Sequence, residues 1–221
     1  MVPSKDESDG RWSSLEVAEI DEIEALQRRV YGTLVDRTLF KPAPPGFFNS
    51  VLTGRGSMQG FRLGGRLVAF GTLLTGLDIR DRARERLGLA EGQPLAMMQG
   101  AVVDPECRGR RLHRRLLQRR LALLRPAGLW HVYATAAPGN VSSWRNMLAE
   151  GYEVADVSLM YGRLLRYTLY RPPRPAEAPS AAAAIAWCDP LDVQRQEGLL
   201  ASGRRGRCFA LRAGSPAIGY S

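Results

Sequence analysis

The sequence predicts an α/β fold in which strands and helices are interleaved along one main domain. Three observations carry this. An apolar run, Leu95–Val103, stops at Pro105 and passes through a short Arg/Gly loop into leucines at helical spacing. Gly64-Gly65 separates two strand-like segments, Met58–Leu63 and Leu67–Leu74, as a hairpin turn does. The order strand, helix, hairpin then opens again behind a Pro/Ala stretch near the C-terminus.

Taken in order, residues 1–13 read as a flexible terminus. Leu15–Ile20 alternates apolar and polar, which predicts a short strand. Asp21 stands at a helix N-cap position, and Ile23, Leu26, Val30 and Leu34 follow with helical spacing, so residues 22–37 read as a helix. KPAPPGFF (41–48) breaks it, and a second short helix starts near Pro45. After the hairpin, residues 79–88 read as a short charged helix. Leu112, Leu116, Leu117, Leu121 and Leu124 form one stripe, which places a helix at 109–125. Leu129–Ala136 is strand-like, and a helix at 140–150 ends at Gly151 as its C′ residue. Residues 152–170 hold further strands. The main domain thus spans 14–171, followed by a Pro/Ala linker at 172–184. Residues 185–221 are a C-terminal extension resembling a partial repeat: a truncated second unit, or strands added to another sheet.

Composition narrows the function. The 221 residues suffice for a sizeable core without disulfides. No apolar run approaches the roughly 18 residues of a membrane span, and MVPSKDESDG lacks the apolar core of a signal peptide, so the expected location is cytoplasmic. Three cysteines without CxxC spacing and two histidines give neither a disulfide framework nor a metal site. The net charge is +9, and all basic residues except Lys5 and Lys41 are Arg. Residues 104–126 hold eight Arg against Asp104 and Glu106, so +6 of that charge falls there.

That segment carries the chemistry. In Val102-Val103-Asp104-Pro105-Glu106-Cys107-Arg108-Gly109-Arg110-Arg111-Leu112-His113 a strand ends, a loop turns and a helix opens. Backbone N–H groups at a helix start, with the helix dipole, hold anions. Gly109 admits close approach, and the arginines add charge-assisted hydrogen bonds.

Here the chain resembles the GNAT superfamily of acyl-CoA N-acyltransferases, whose motif reads approximately V-x-P-x-x-R-G-x-G-L-G. VDPECRGRRLH lies at that place, with Arg111 where Gly is usual and His113 where Gly or Ala is usual. A second match is Asn140, eleven residues before Gly151-Tyr152. The resemblance covers about Leu15 to Tyr170. It implies a central mixed β-sheet flanked by helices, and acetyl-CoA as cosubstrate. It implies that the backbone of Ala101, Val102 and Val103 bonds the pantetheine arm. The amides of Arg108, Gly109, Arg110, Arg111, Leu112 and His113 would hold the pyrophosphate, with Asn140 beside the cofactor. The implied reaction moves an acetyl group directly to an amine, a small molecule being favoured over protein.

Many family members use a Tyr seven residues after the Asn as the acid for the leaving thiolate; this chain has Met147. Tyr133 and Tyr152 are the alternatives. For the base, the fifth strand offers His131, on one face with Tyr133, so His131 and Tyr133 are the catalytic candidates. Asp78 is a further candidate, and Gln99 cannot titrate. Cys107 reads as a plain loop cysteine, and Trp144 and Met147 as core or pocket wall. Phe40, Phe47 and Phe48 lie in the variable acceptor-side region at 38–56. The expected partners are acyl-CoA and an amine acceptor, with no nucleic acid, membrane or metal; a homodimer is left open. Two other readings stand beside this one: a non-catalytic acyl-CoA sensor, and a basic nucleic-acid-binding module built on Arg108–Arg120.

Overall fold

The structure is a computed structural model that describes residues 10–77, 82–127, 130–174 and 185–221. It divides into two compact units, the first from residues 1–37, 41–77 and 98–124, the second from 38–40, 78–97 and 125–221.

In the first unit β1 (Gly10–Ser14), β2 (Gly56–Leu63) and β3 (Arg66–Leu74) lie side by side, with the later part of β4 (Leu95–Val103) next to β3. Gly64 and Gly65 both have positive φ (55° and 77°), the backbone that a tight hairpin turn of this twist requires. Strand β1 corrects the sequence reading twice. It begins at Gly10, inside the expected flexible terminus, and pairs Trp12 with Phe61. Leu15–Ile20 is not a strand: a 3₁₀ turn covers Val17–Glu19, fixed where the Glu16 N–H donates to Glu19 Oε2 (2.7 Å). Helix α1 (Ile20–Gly32) follows and buries Ile23, Leu26 and Val30, stopping short of the expected end at 37. A one-turn α2 (Phe47–Ser50) puts Phe48 edge-on to Phe70 (5.6 Å).

Helix α4 (Leu112–Leu124) packs Leu112 and Leu116 onto Phe61, Val68 and Ala69. Arg120 joins the leucines in the buried face, which a stripe of apolar residues cannot announce. Its Nη1 donates to Thr72 O (2.7 Å) and its Nε to Leu116 O (3.1 Å). The guanidinium lies over Gly71, where a Cβ would come within 2.7 Å of Cζ.

The second unit holds the start of β4, a one-turn α3 (Ala83–Arg86), β5 (His131–Ala136), α5 (Val141–Leu148), β6 (Glu153–Met160) and β7 (Leu164–Arg171). Its sheet is mixed: β4 and β5 are parallel, whereas β5–β7 and β6–β7 are antiparallel. The expected charged helix at 79–88 shrinks to α3, and residues 79–81 lie outside the described ones. Gly151 (φ 80°) closes α5, with Tyr152 N donating to Met147 O (3.1 Å).

The C-terminal segment belongs to this unit. It forms β8 (Ala186–Cys188), α6 (Val193–Ala201), β9 (Gly206–Arg212) and β10 (Ser215–Tyr220), and β9 pairs with β6 through Val154 and Gly206. Its element order repeats that of the N-terminus, but its pairing does not. β1 pairs with the first strand of its hairpin, whereas β8 pairs with the second, β10. The likeness is one of sequence order and not of sheet topology. The proposed linker lies mostly at 175–184, outside the described residues.

Among the described residues no helix is long and apolar enough to cross a membrane, and no group of three or more His, Cys, Asp or Glu could hold a metal ion.

Candidate functional site

The first unit contributes the turn between β4 and α4. Gly100 has φ +48° inside β4, a local irregularity of the strand that re-aims its backbone. Nothing in the residue pattern signals it apart from the glycine itself. Beyond it Val102 is buried, while Ala101 and Val103 are half-buried.

Asp104 then anchors the turn. Its carboxylate is almost wholly buried and accepts Arg29 Nη2 (2.6 Å) and Arg66 Nη1 (3.0 Å). Oδ1 also receives the Glu106 N–H (3.2 Å), and the Asp104 N–H donates to Val68 O (2.8 Å). One side chain therefore ties α1, β3 and the turn together. Cys107, expected as a loop cysteine, is a core residue beside Leu112 and Phe61. Arg108, Gly109, Arg110 and Arg111 follow as an exposed run. Gly109 has φ +81°, and nothing within 4 Å would meet a Cβ there, so its exposed side is open.

The helix begins later than expected, at Leu112. Arg111 O accepts the first bond of the ladder from Arg115 N (3.0 Å), so the Leu112, His113 and Arg114 amides precede that ladder. Arg111 itself has φ +58°, a left-handed conformation that costs a side-chain-bearing residue about 1–2 kcal/mol. The backbone keeps the shape that a glycine would give there, at the expense of strain. Desolvation, with the charge of Arg120, pushes the His113 imidazole down to about 4, so His113 adds no charge near neutral pH.

The second unit contributes the other candidates. The β4–β5 ladder pairs Leu95, Ala96 and Met97 with His131, Val132 and Tyr133. His131 Nδ1 lies 2.6 Å from the hydroxyl of Tyr170 on β7, and the two rings are nearly parallel. Desolvation, then the charge of Arg84, lowers the His131 pKa below its ordinary 6.5. Burial, then Glu153, raises that of Tyr170. Both groups are neutral near pH 7. Sequence reading missed Tyr170, because only the β5–β7 register shows that it sits diagonally across from His131.

Tyr133 is 1% exposed, within the sheet. Asn140 caps α5, its Oδ1 accepting the Ser143 N–H (3.3 Å). Trp144 and Met147 are buried, as expected for core or wall. The structure thus joins Arg108–Arg111 to the start of α4, and His131 to Tyr170. Asp78 lies outside the described residues.

No protein-family model and no curated protein matches the sequence. Solved structures do match. The ribosomal-protein-S18-alanine N-acetyltransferase of Escherichia coli is 17% identical, with 76% of this chain and 96% of that chain covered and a TM-score of 0.57. A candidate acetyltransferase of Salmonella typhimurium, solved with its cofactor acetyl-CoA, is 15% identical, with 79% and 99% covered and a TM-score of 0.57. An acetyltransferase of the GNAT family from Streptococcus pneumoniae is 14% identical, with 73% and 96% covered and a TM-score of 0.53. At such identities the likeness is one of fold. This chain has the fold of the GNAT N-acetyltransferases.

Proposed function

We propose that the protein is an acetyl-CoA-dependent N-acetyltransferase that acts on an amine, a small molecule rather than a protein. The observation that supports this most is the turn from β4 into α4, in a chain of this fold. An open, positive-φ Gly109 sits in an exposed arginine run just before the helix amides. That arrangement fits a pyrophosphate, because main-chain donors, the helix dipole and guanidinium groups converge on one place. Arg108–His113 would hold the phosphates, and the backbone of Ala101–Val103 the pantetheine arm. Acetyl-CoA supplies an activated acyl thioester, whose carbon takes the amine lone pair as the C–S bond breaks and the thiolate leaves.

The reaction also needs a base, and His131 is the residue proposed for it. The incoming amine must lose a proton. In the tautomer with its proton on Nδ1, His131 donates to Tyr170 and presents the Nε2 lone pair. A lowered pKa keeps that lone pair free near neutrality. Met147 cannot donate a proton, so the thiolate leaves with no acid from α5.

The test is thiol release from acetyl-CoA over a panel of small amines, alongside calorimetry with CoA and with a random DNA duplex. Saturable thiol release and CoA binding support the proposal. CoA binding without release over the panel supports the acyl-CoA sensor, which the buried Met147 favours. Tight DNA binding with no CoA signal supports the nucleic-acid module.

A further inference from the structure

The sheet of the first unit ends at β1, and no strand among the described residues pairs with its outer side. Where the β1–β2 ladder runs out, the Leu15 N–H donates to Met58 O (3.0 Å). In an antiparallel ladder, residues that exchange such bonds alternate with residues that do not. Arg11 and Ser13 therefore turn their backbone groups toward β2, as Leu15 does, while Gly10, Trp12 and Ser14 turn theirs outward. An edge of this kind is a template for one more strand.

The side chains around this edge are basic on both faces of the sheet. Trp12 opposes Phe61 and packs against the same cluster as Leu112 and Leu116, so it faces α4. The guanidinium groups of Arg115 and Arg119, one helical turn apart, lie 5.1 and 5.2 Å from the centre of its ring. Arg119 is exposed, and its Nε donates to Oε1 of the buried Gln59 (3.5 Å), whose Nε2 donates to the Ser14 hydroxyl (2.8 Å). Two cations are thus ordered beside the outward backbone before anything binds. On the other face Arg11 opposes Arg62. Arg62 is held there by Glu19 and Glu22 (both 2.6 Å), whereas Arg11 is exposed. Helix α4 carries Arg114, Arg115, Arg119 and Arg120 and no acidic residue. Like charges one turn apart weaken a helix, so this flank favours an anionic neighbour.

The edge is separate from the turn that opens α4. Helix α4 lies over β2 and β3, and β1 stands three strands, about 14 Å, from β4. A second copy of this chain fits the edge poorly, because β1 paired with itself sets these cations against their equals.

We propose that β1 accepts a strand from a partner protein, an extended segment with Glu or Asp at alternate positions. A residue opposite Trp12 shares its face, with about 5.5 Å between the Cα atoms. Its carboxylate there meets the guanidinium groups of Arg115 and Arg119 in charge-assisted hydrogen bonds. The contact is a docking site apart from acetyl transfer and does not depend on the acetyltransferase reading.

The probe is a labelled, blocked peptide, Val-Thr-Glu-Val-Glu-Thr-Val, read by fluorescence anisotropy. Two analogues accompany it, one with Gln for both Glu residues and one N-methylated at both Glu residues to break the ladder. The wild type is expected to bind the Glu peptide about tenfold tighter than the Gln peptide, with the gap narrowing as salt rises. N-methylation is expected to weaken binding about tenfold as well. The double variant Arg115→Gln/Arg119→Gln is expected to bind the Glu and Gln peptides equally. Equal binding of the Glu and Gln peptides by the wild type overturns the proposal even if the variant fails to fold. An N-methylated peptide that binds as well as its parent overturns it too, as does a Glu preference that survives in the folded double variant. Displacement of the Glu peptide by CoA places it at the β4–α4 turn and also overturns the proposal.

Discussion

His131 on β5 and Tyr170 on β7 share a contact of 2.6 Å between Nδ1 and the phenol oxygen, in a region where burial disfavours the charged form of each. If neutral His131 takes the amine proton, the rate rises with pH through a pKa below 6.5 and levels off above it. Arg84 is the second cause of that depression, since its charge opposes imidazolium. Arg84→Gln therefore moves the acid limb of kcat/KM toward higher pH. His131→Ala lowers kcat roughly 100-fold and leaves CoA affinity unchanged, while Tyr170→Phe, which frees the ring, costs roughly tenfold. Thiol-release profiles between pH 5 and 9 check all three; a limb unmoved in Arg84→Gln would remove His131 as the titrating group.

Arg111 gives a sharper test of the cradle. Its left-handed backbone is strained for arginine and not for glycine. Arg111→Gly is expected to be about 1 kcal/mol more stable than Arg111→Ala, which keeps the strain but loses the same side chain. Urea denaturation of the two variants measures the difference. Equal stabilities would mean that the turn has another shape in solution.

Much of this was legible in the chain. The strand, turn and helix from Leu95 to Leu124 announce themselves because three different patterns meet there: an unbroken apolar run, Arg/Gly punctuation and a leucine stripe. The Gly64-Gly65 hairpin was legible for the same reason. What stayed hidden depends on pairing. Tyr170 looks like any strand tyrosine until the register sets it diagonal to His131. Asp156 follows the period of β6 onto the wrong face, because one extra residue re-phases the strand. The left-handed Arg111 and the buried Arg120 carry side chains that ordinarily mean an exposed helical surface, so local sequence argues against what tertiary contacts impose.

Asp104 makes the turn dependent on two distant elements. Asp104→Asn keeps the cap toward Glu106 but removes the charge that holds Arg29 and Arg66. Those arginines are partly exposed and can be rehydrated, so the expected cost is about 2 kcal/mol, that of charged hydrogen bonds. CoA affinity is expected to fall as well, since the anchored turn presents Arg108 and Gly109. Chemical denaturation and CoA calorimetry on one preparation check both; lost stability with intact CoA affinity would confine Asp104 to folding.

The C-terminal segment is tied into the second unit by a buried polar triad. The hydroxyls of Tyr167 on β7 and Tyr220 on β10 both lie 2.7 Å from Gln196 Oε1 on α6, and Gln196 Nε2 donates to Pro190 O (2.9 Å). Burial raises the pKa of both phenols, so they stay protonated donors. Gln196→Leu fills similar space but leaves two buried hydroxyls without their acceptor. Each orphan costs about 1–3 kcal/mol, although Tyr167 retains Pro190 O at 2.9 Å as an alternative. The net loss is therefore closer to one orphan than two, about 2 kcal/mol. Adding Tyr220→Phe to Gln196→Leu removes the remaining orphan and is expected to recover part of that loss, whereas Tyr220→Phe alone destabilises. Thermal denaturation of the two single variants and the double variant reads this coupling. Strict additivity would show that the triad is not shared, and that residues 185–221 are held by apolar packing alone.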